Sequence, residues 1–404
     1  MAKSRRPLEG VKCVGVIALQ QLPVAFSVLA DLGAEVIKIE RPGSGDRGRK
    51  LLLFPGVPLS PYFETNNRGF KSLTLDVQKK KGLEILYKLV KDADIFSENV
   101  RPGVAERHHF AYEDLQKINP GIIYLASSAY GPDGPNALLP GVDAAAQAAG
   151  GIASLFGEEG SRMMTAQHAL ADETAAMMNS FALMVGLYNK KITGEGTKID
   201  TSLLGSQIRL MGFSMTRVLF TNEDMPRGRV RVLSGVDPGL AGSFNDKNGR
   251  GFAFQIVGVE AWQKGMTAAG FSKRLAAVGC GDIREVANSK EKTRLFLDTM
   301  DKLFATDTRE RWVKALRSVD IICAPINTVL EASRDPDVIA NEYITEVDHP
   351  RVGKIKEVGF PWKFSSFKPK AGIAPELGEH NHEILHGLGY SEADIEQLKQ
   401  EKVI

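Results

Sequence analysis

Val11–Glu40 reads VKCVGVIALQQLPVAFSVLADLGAEVIKIE, and this stretch decides the fold. Val11–Leu19 is an apolar, β-branched run that predicts a strand. Pro23–Leu32 predicts a helix closed by Gly33, and Ala34–Glu40 predicts a second strand. The alternation continues downstream. Val77–Asp92 carries Leu83, Ile85, Leu86, Leu89 and Val90 at helical spacing, and Asp94–Glu98 and Ile122–Ala129 read as two more strands. Strands alternating with helices predict an α/β fold with a parallel sheet of the Rossmann type. The dinucleotide fingerprint is missing, however. The first strand runs into LQQLPVAF, with no G-x-G-x-x-G to let a pyrophosphate approach the backbone. The glycine cluster Pro42-Gly43-Ser44-Gly45-Asp46-Arg47-Gly48 follows the second strand instead, so a nicotinamide-dinucleotide enzyme is rejected.

Composition narrows the classes further. The chain has 404 residues, which at roughly 150 residues per domain predicts two or three domains. It is 43% hydrophobic and 25% charged, enough to bury a full core. Its 51 basic and 49 acidic residues nearly cancel, which speaks against nucleic acid as a partner. No apolar run approaches the roughly 18 residues of a membrane span. The basic start MAKSRRPLEG is followed by VKCVGVIAL, read as a first strand and not a signal peptide. Cys13, Cys280 and Cys323 are far apart and odd in number, so a reduced, cytoplasmic setting is expected.

Farther along, Met177, Met178, Phe181, Met184, Val185 and Tyr188 recur at helical spacing and predict a buried helix face. The Gly-, Arg- and Pro-rich stretch between about Asn222 and Asp246 marks a domain boundary. Helices are predicted at Val259–Ala269, Ser289–Phe304 and Asp307–Ser318, with Asp307 and Glu310 as a capping box. A last helix is opened by Ser391 with Asp394.

Four patches, in order, resemble the class III CoA-transferases, the family of formyl-CoA, carnitine-CoA and benzylsuccinate-CoA transferases. They are LADLGAEVIKIERPGSGDRGR; NNRGFKSLTLDV with DADIFSENVRPGVAER; the Gly141–Gly196 segment GVDAAAQAAGGIASLFGEEGSRMMTAQHALADETAAMMNSFALMVGLYNKKITGEG with TGEGTKIDTSLL; and APELGEHNHEIL. The resemblance implies a Rossmann-like large domain completed by the C-terminus, with a smaller inserted α+β domain. On that basis residues 1–222 are the first part of the large domain, 223–330 the small domain, and 331–404 the returning part. It also implies two subunits interlocked like linked rings, as a homodimer or as a heteromer with a paralogous chain.

Pattern alone reads Asp172 as a helix N-cap, because Asp is a favoured cap and a helical period follows it. The resemblance makes it the covalent nucleophile. A carboxylate with an ordinary pKa of about 3.9 is ionised at neutral pH and needs no general base. A helix N-terminus is expected to favour the charged form. Acyl transfer also needs an oxyanion site, for which Gly150, Gly151 and the loop Ser234–Gly242 are candidates. Gln20 matches an active-site glutamine of the family, against the plainer reading of a solvated loop amide. Arg41 and Arg107 match positions that contact CoA phosphates or adenine, and Arg68 and Lys71 form a further basic patch. Relatives often read N-K-R-S where this chain has Gly69-Phe70-Lys71-Ser72. The substrates implied are an acyl-CoA donor and a carboxylic acid acceptor, with coenzyme A thioesters as substrates and no permanently bound cofactor. His380, His382 and His386, like His108 and His109, are read as solvated side chains and not as a metal site.

Two rival readings remain. One is a CoA-binding subunit that supports an active paralogue, against which Asp172 speaks. The other is a 2-methylacyl-CoA racemase, which pairs such an aspartate with a histidine about 30 residues earlier, directly before an Asp. Here that place is Val142-Asp143, and valine moves no proton. Incubation of a chiral 2-methylacyl-CoA with the enzyme in deuterated water is therefore expected to leave C2 unlabelled. Deuterium uptake at a rate comparable to CoA transfer would assign the wrong reaction.

Overall fold

The computed structural model describes residues 5–233 and 237–404. Its internal contacts divide the chain into two compact units. The larger comprises residues up to Ser154, Thr165–Asp224 and Ala340–Ile404; the smaller comprises Leu155–Met164 and Met225–Ile339. The expected break at 222/223 lies beside the observed one after Asp224, whereas that at 330/331 comes earlier than the break after Ile339. Nothing in the sequence pattern marked Leu155–Met164 as part of the smaller unit.

The larger unit runs β1 (Lys12–Val16), α1 (Gln21–Asp31), β2 (Glu35–Glu40), α2 (Pro61–Asn67), β3 (Lys71–Thr74), α3 (Lys80–Lys91), β4 (Ile95–Glu98), α4 (Val104–Arg107), α5 (Tyr112–Ile118) and β5 (Ile123–Ser128). It continues through α6 (Asp143–Ala149), α7 (Leu170–Thr193), β6 (Thr197–Ser202), α8 (Leu203–Leu210) and α9 (Gly212–Thr221). The six strands are parallel, in the order β3-β2-β1-β4-β5-β6. This is the Rossmann order, with its reversal between β1 and β4.

Both sheet faces are covered, so the central strands are apolar on both sides. Cys13, Val36, Ile95, Ile123 and Leu125 pack with Leu22, Phe26 and Leu29 of α1 and Leu183 of α7. On the other face Val14, Ile39, Phe96 and Tyr124 pack with Ile85, Leu86 and Val90 of α3. Ile384, Leu385, Ile395 and Leu398 from the C-terminal helices Asn381–Gly387 and Glu392–Gln400 complete that second core. The returning segment thus belongs to the larger unit, together with the hairpin β11 (Ile344–His349) and β12 (Gly353–Val358).

The smaller unit holds the antiparallel sheet β10-β9-β8-β7, formed by β7 (Val230–Leu233), β8 (Gly239–Asn245), β9 (Gly251–Val257) and β10 (Ile322–Pro325). Phe304 fills its core, with its ring centroid 4.8 Å from Phe252 and 5.0 Å from each of Phe244 and Phe271. All three cysteines are buried thiols.

Two expectations are corrected. The helix near Asp307 is capped by Thr308, whose side chain accepts from the Arg311 N–H, one residue beyond the expected box. The Ser391/Asp394 box forms as expected. More consequentially, the predicted buried face of α7 is its exposed face: Phe181 is 68% and Tyr188 66% exposed, with Met177, Met178, Met184 and Val185 also open. The side that packs inward consists of Ala171, Ala175, Ala176, Asn179, Ser180, Leu183 and Gly186. Small residues let the α7 backbone approach the sheet; a Cβ on Gly186 would meet Ile123 Cγ2 at 2.9 Å.

Candidate active site

In open parallel sheets the ligand crevice lies at the carboxyl ends of the strands, where the strand order reverses. Here that place is the turn after β1. Asn99, just past β4, clamps this turn: its Oδ1 accepts from the Ala18 N–H at 2.9 Å and its Nδ2 donates to the Ala18 carbonyl at 2.8 Å. Gln20 follows as the residue before α1 and is only 7% exposed, so it is not a solvated loop amide. Its Nε2 donates to Glu173 Oε1 at 2.6 Å. The structure therefore brings Gln20 to the start of α7, beside Asp172.

Asp172 is not the helix N-cap. The residue before α7 is Ala169, which makes no side-chain cap, and Asp172 lies inside the first turn. The cap comes from α6. Asp143 Oδ1 accepts from the N–H groups of Ala171 at 2.6 Å and Asp172 at 3.2 Å, and its Oδ2 accepts from Gln147 Nε2 at 2.6 Å. Gln147 is buried, and its Oε1 accepts from the Ala166 N–H at 2.8 Å, which ties down the approach to α7.

The expected ionisation of Asp172 is corrected as well. Burial pushes its carboxyl up to about 7, and the charges of Asp143 and Glu173 push in the same direction. The helix-end field that was expected to favour the anion is already answered by Asp143. Among the described residues no hydrogen-bond donor reaches the Asp172 carboxylate, so its lone pairs are uncommitted. Tyr62 of α2 stands in the same field: burial raises its phenol, followed by Asp172, Asp46 and Glu173. Sequence reasoning missed Asp143, Gln147, Glu173 and Tyr62 as site residues. Only Asp143 carried a signal, as the single acidic residue in a run of alanines.

The glycines and basic residues divide sharply. The Gly150 N–H donates to the Ala146 carbonyl at 2.8 Å and the Gly151 N–H to the Ala148 carbonyl at 3.3 Å, so both close the end of α6 and neither is free for an oxyanion. Of the loop Ser234–Gly242, Ser234–Val236 lie outside the described residues; Gly239 and Gly242 sit in β8, where a Cβ on Gly239 would meet the Ile256 carbonyl at 2.3 Å. Arg41 follows β2 and Arg107 ends α4 beyond β4, both exposed at the carboxyl edge of the sheet. Arg101, near them, lines a cavity of about 320 Å³ with Glu98, Tyr124, Lys198 and Asp200.

Arg68 and Lys71 stand at the opposite edge, where β3 begins, and both are already paired. Buried Arg68 grips Asp31 Oδ2 through Nε at 3.0 Å and Nη2 at 2.7 Å, and also donates to the Val358 carbonyl. Lys71 Nζ lies 2.7 Å from Glu35 and 2.6 Å from Glu383. Neither is placed to meet a phosphate at the crevice. His380 Nδ1 accepts from the Ser72 N–H at 3.3 Å. His382, His386 and Glu392 bring ligand-type atoms within 4.8 Å of one another, but they are exposed, and the Lys399 ammonium lies 3.3 Å from His382 Nε2. No helix among the described residues is long and apolar enough to cross a membrane.

The chain is similar to known proteins along nearly its full length. Residues 8–381 match the model of CoA-transferase family III. Formyl-CoA:oxalate CoA-transferase of Escherichia coli O157:H7 is 30% identical over 98% of this chain and 99% of its own length. Succinyl-CoA:glutarate CoA-transferase of Homo sapiens is 32% identical over 99% of this chain and 90% of its own. Among solved structures, a CAIB/BAIF family protein from Brucella suis superposes with a TM-score of 0.83 at 25% identity, covering 95% of this chain and 100% of that one.

Two outcomes follow from these contacts. A carboxyl whose folded pKa is raised lowers stability as pH climbs from its unfolded value near 4 through about 7. Asp172→Asn is therefore expected to raise stability at pH 8 by about 2 kcal/mol and to change little at pH 4, as read by urea midpoints. Arg68→Ala strands buried Asp31 and is expected to cost about 3 kcal/mol, with the KM for acyl-CoA within about twofold of wild type.

Proposed function

The chain belongs to CoA-transferase family III, and from that footing we propose that it moves CoA from a donor acyl-CoA to an acceptor carboxylic acid through covalent intermediates on Asp172. The observation that carries this reading is the Asp172 carboxylate itself: raised to about 7, free of donors among the described residues, and set beside the Gln20–Glu173 pair.

The steps balance without water or an external base. An Asp172 oxygen attacks the thioester carbonyl, the C–S bond breaks, and CoA thiolate leaves a mixed anhydride. The thiolate attacks the Asp172 carbonyl carbon, expelling the donor acid and forming an aspartyl-CoA thioester. The acceptor carboxylate then attacks that thioester and releases the thiolate. The thiolate finally attacks the acceptor's acyl carbon, regenerating Asp172. Each attack develops an oxyanion. With Gly150 and Gly151 committed, the second N–H of the Gln20 amide is our candidate donor, the first being held by Glu173. Arg41 and Arg107 are proposed to take CoA phosphates or adenine at the carboxyl edge. Substrates named for the two relatives are small acids, so succinyl-CoA is the first donor to try, with oxalate and glutarate as first acceptors. The buried, unpaired cysteines support a reducing, cytoplasmic setting.

We further propose that a second copy covers the outer face of α7. Met177, Phe181, Val185, Tyr188 and Ile192 form one exposed apolar stripe along this helix, the mark of an interface. Interlocked rings, as the family resemblance implies, would stay dimeric on dilution to nanomolar concentration in a sizing experiment with mass detection. Phe181→Glu with Tyr188→Glu is expected to abolish the dimer or its solubility; a monomeric wild type would refute the assignment.

Donor acyl-CoA alone is expected to load CoA onto the protein, and borohydride or hydroxylamine trapping should map it to Asp172. Asp172→Ala should lose transfer by roughly 10³-fold or more while remaining folded. A folded Asp172→Ala enzyme that still transfers would leave direct attack of acceptor on donor as the better account. Ionisation should also show in the rate: kcat/KM is expected to rise with pH through about 7, as Asp172 loses its proton.

A further inference from the structure

We propose that Asp46, charge-balanced by Lys38, is a positioning residue that holds Leu19 in a left-handed backbone conformation and so aims the Gln20 amide at Glu173 beside the nucleophile. The inference rests on the transferase reading of the Asp172 site and extends it to two residues outside that site.

Lys38 lies in β2 and Asp46 in the glycine-rich loop that follows. Their side chains are 0% and 1% exposed. Lys38 Nζ donates to Asp46 Oδ2 at 2.5 Å and to Asn67 Oδ1 at 2.5 Å. Asp46 spends its remaining lone pairs on backbone. The Leu19 N–H reaches both of its oxygens, at 3.2 and 3.0 Å, and the Gly48 N–H reaches Oδ1 at 2.8 Å. Leu19 has φ +64°, a conformation disfavoured for a residue with a side chain. It sits directly before Gln20, whose Nε2 contact with Glu173 is 2.6 Å.

Each contact has a reason in the next. An unpaired buried ammonium would be costly, so Lys38 requires a carboxylate. That carboxylate, fixed between Lys38 and Gly48, accepts the Leu19 N–H in the turn observed, where Leu19 is left-handed. Asn99 holds Ala18 from the other side, so the backbone leading into Gln20 is anchored at two successive residues. Glycine is the usual residue at such a φ. Leucine here is sustained by the charged network beneath it.

The test replaces both charges at once, so that no buried ion is stranded. Lys38→Met with Asp46→Asn is expected to lower kcat roughly 10- to 100-fold, with the KM for succinyl-CoA within about twofold. In a Gln20→Ala background the same pair should cost less than about twofold more, because its route runs through that amide. A wild-type kcat, or a loss undiminished in the Gln20→Ala background, would overturn the proposal. Should the paired variant fail to fold, Leu19→Val probes the same geometry, since a β-branched residue resists positive φ. It is expected to reproduce the kcat loss and its non-additivity with Gln20→Ala, and an unaltered kcat would count against the proposal. The holding step is also read without activity. Hydrogen exchange over the turn after β1 should quicken at least tenfold in the paired variant, and unchanged exchange refutes it. Failure of the parent reading looks different: the wild type itself would neither transfer CoA nor load it.

Discussion

Three carboxylates meet at the start of one helix, and the structure satisfies two of them. Asp143 takes the N–H groups of Ala171 and Asp172, and Glu173 takes the Gln20 amide. Asp172, which feels the charges of both, is largely buried and has no donor among the described residues. Burial, and then the two neighbouring charges, lift its carboxyl to about 7. For the nucleophile proposed here this would be a useful compromise: an ordinary carboxylate is fully ionised but weakly basic, whereas one near 7 is more basic and still substantially ionised at neutral pH. The arrangement opposes folding, and packing elsewhere must offset it.

That packing is specific about where α7 sits. Its inner side is made of small residues, which bring its backbone against β5. A buried polar chain fixes its rotation: Ser127 Oγ donates to Gln21 Oε1 at 2.7 Å and accepts from Asn179 Nδ2 at 3.3 Å. Gln21 opens α1, Ser127 lies in β5, and Asn179 lies midway along α7. The same contact set thus registers the turn after β1 against the first turn of α7, the two segments that carry Gln20 and Asp172. Three elements distant in sequence are thus held in fixed register, as the proposed acyl transfer would require.

The inner strands β1, β2, β4 and β5 were legible because burial on two sides leaves short, mostly apolar runs such as CVGV, EVI, IF and IYLA. β3 (KSLT) and β6 (TKIDTS) lie at the two edges of the sheet, and their short, polar sequences resemble loop. Asp172 and Gln20 were singled out by resemblance, and the fold brings Gln20 onto Glu173, the residue after Asp172. Arg68 and Lys71 looked equally good as basic residues near glycine. What separates them from Arg41 and Arg107 is which end of the sheet they occupy and whether a carboxylate already holds them, and neither is written in local sequence. The oxyanion glycines failed for a related reason: Gly150 and Gly151 are explained by the end of α6, where their N–H groups are already used.

The inverted face of α7 has a different origin. Its period was read correctly, and its direction was assigned on the premise that large apolar residues turn inward. In this chain the large ones turn outward and alanine and glycine turn in. A helix built that way packs one face against its own sheet and leaves the other open within the chain. The same helix begins with Asp172. A surface that covered Phe181 and Tyr188 would therefore bear on the element that positions Asp172, and rotation of α7 about its axis would disturb both at once. Under the proposed dimer, assembly and the Asp172 site would be coupled through this one helix, without any further connecting device.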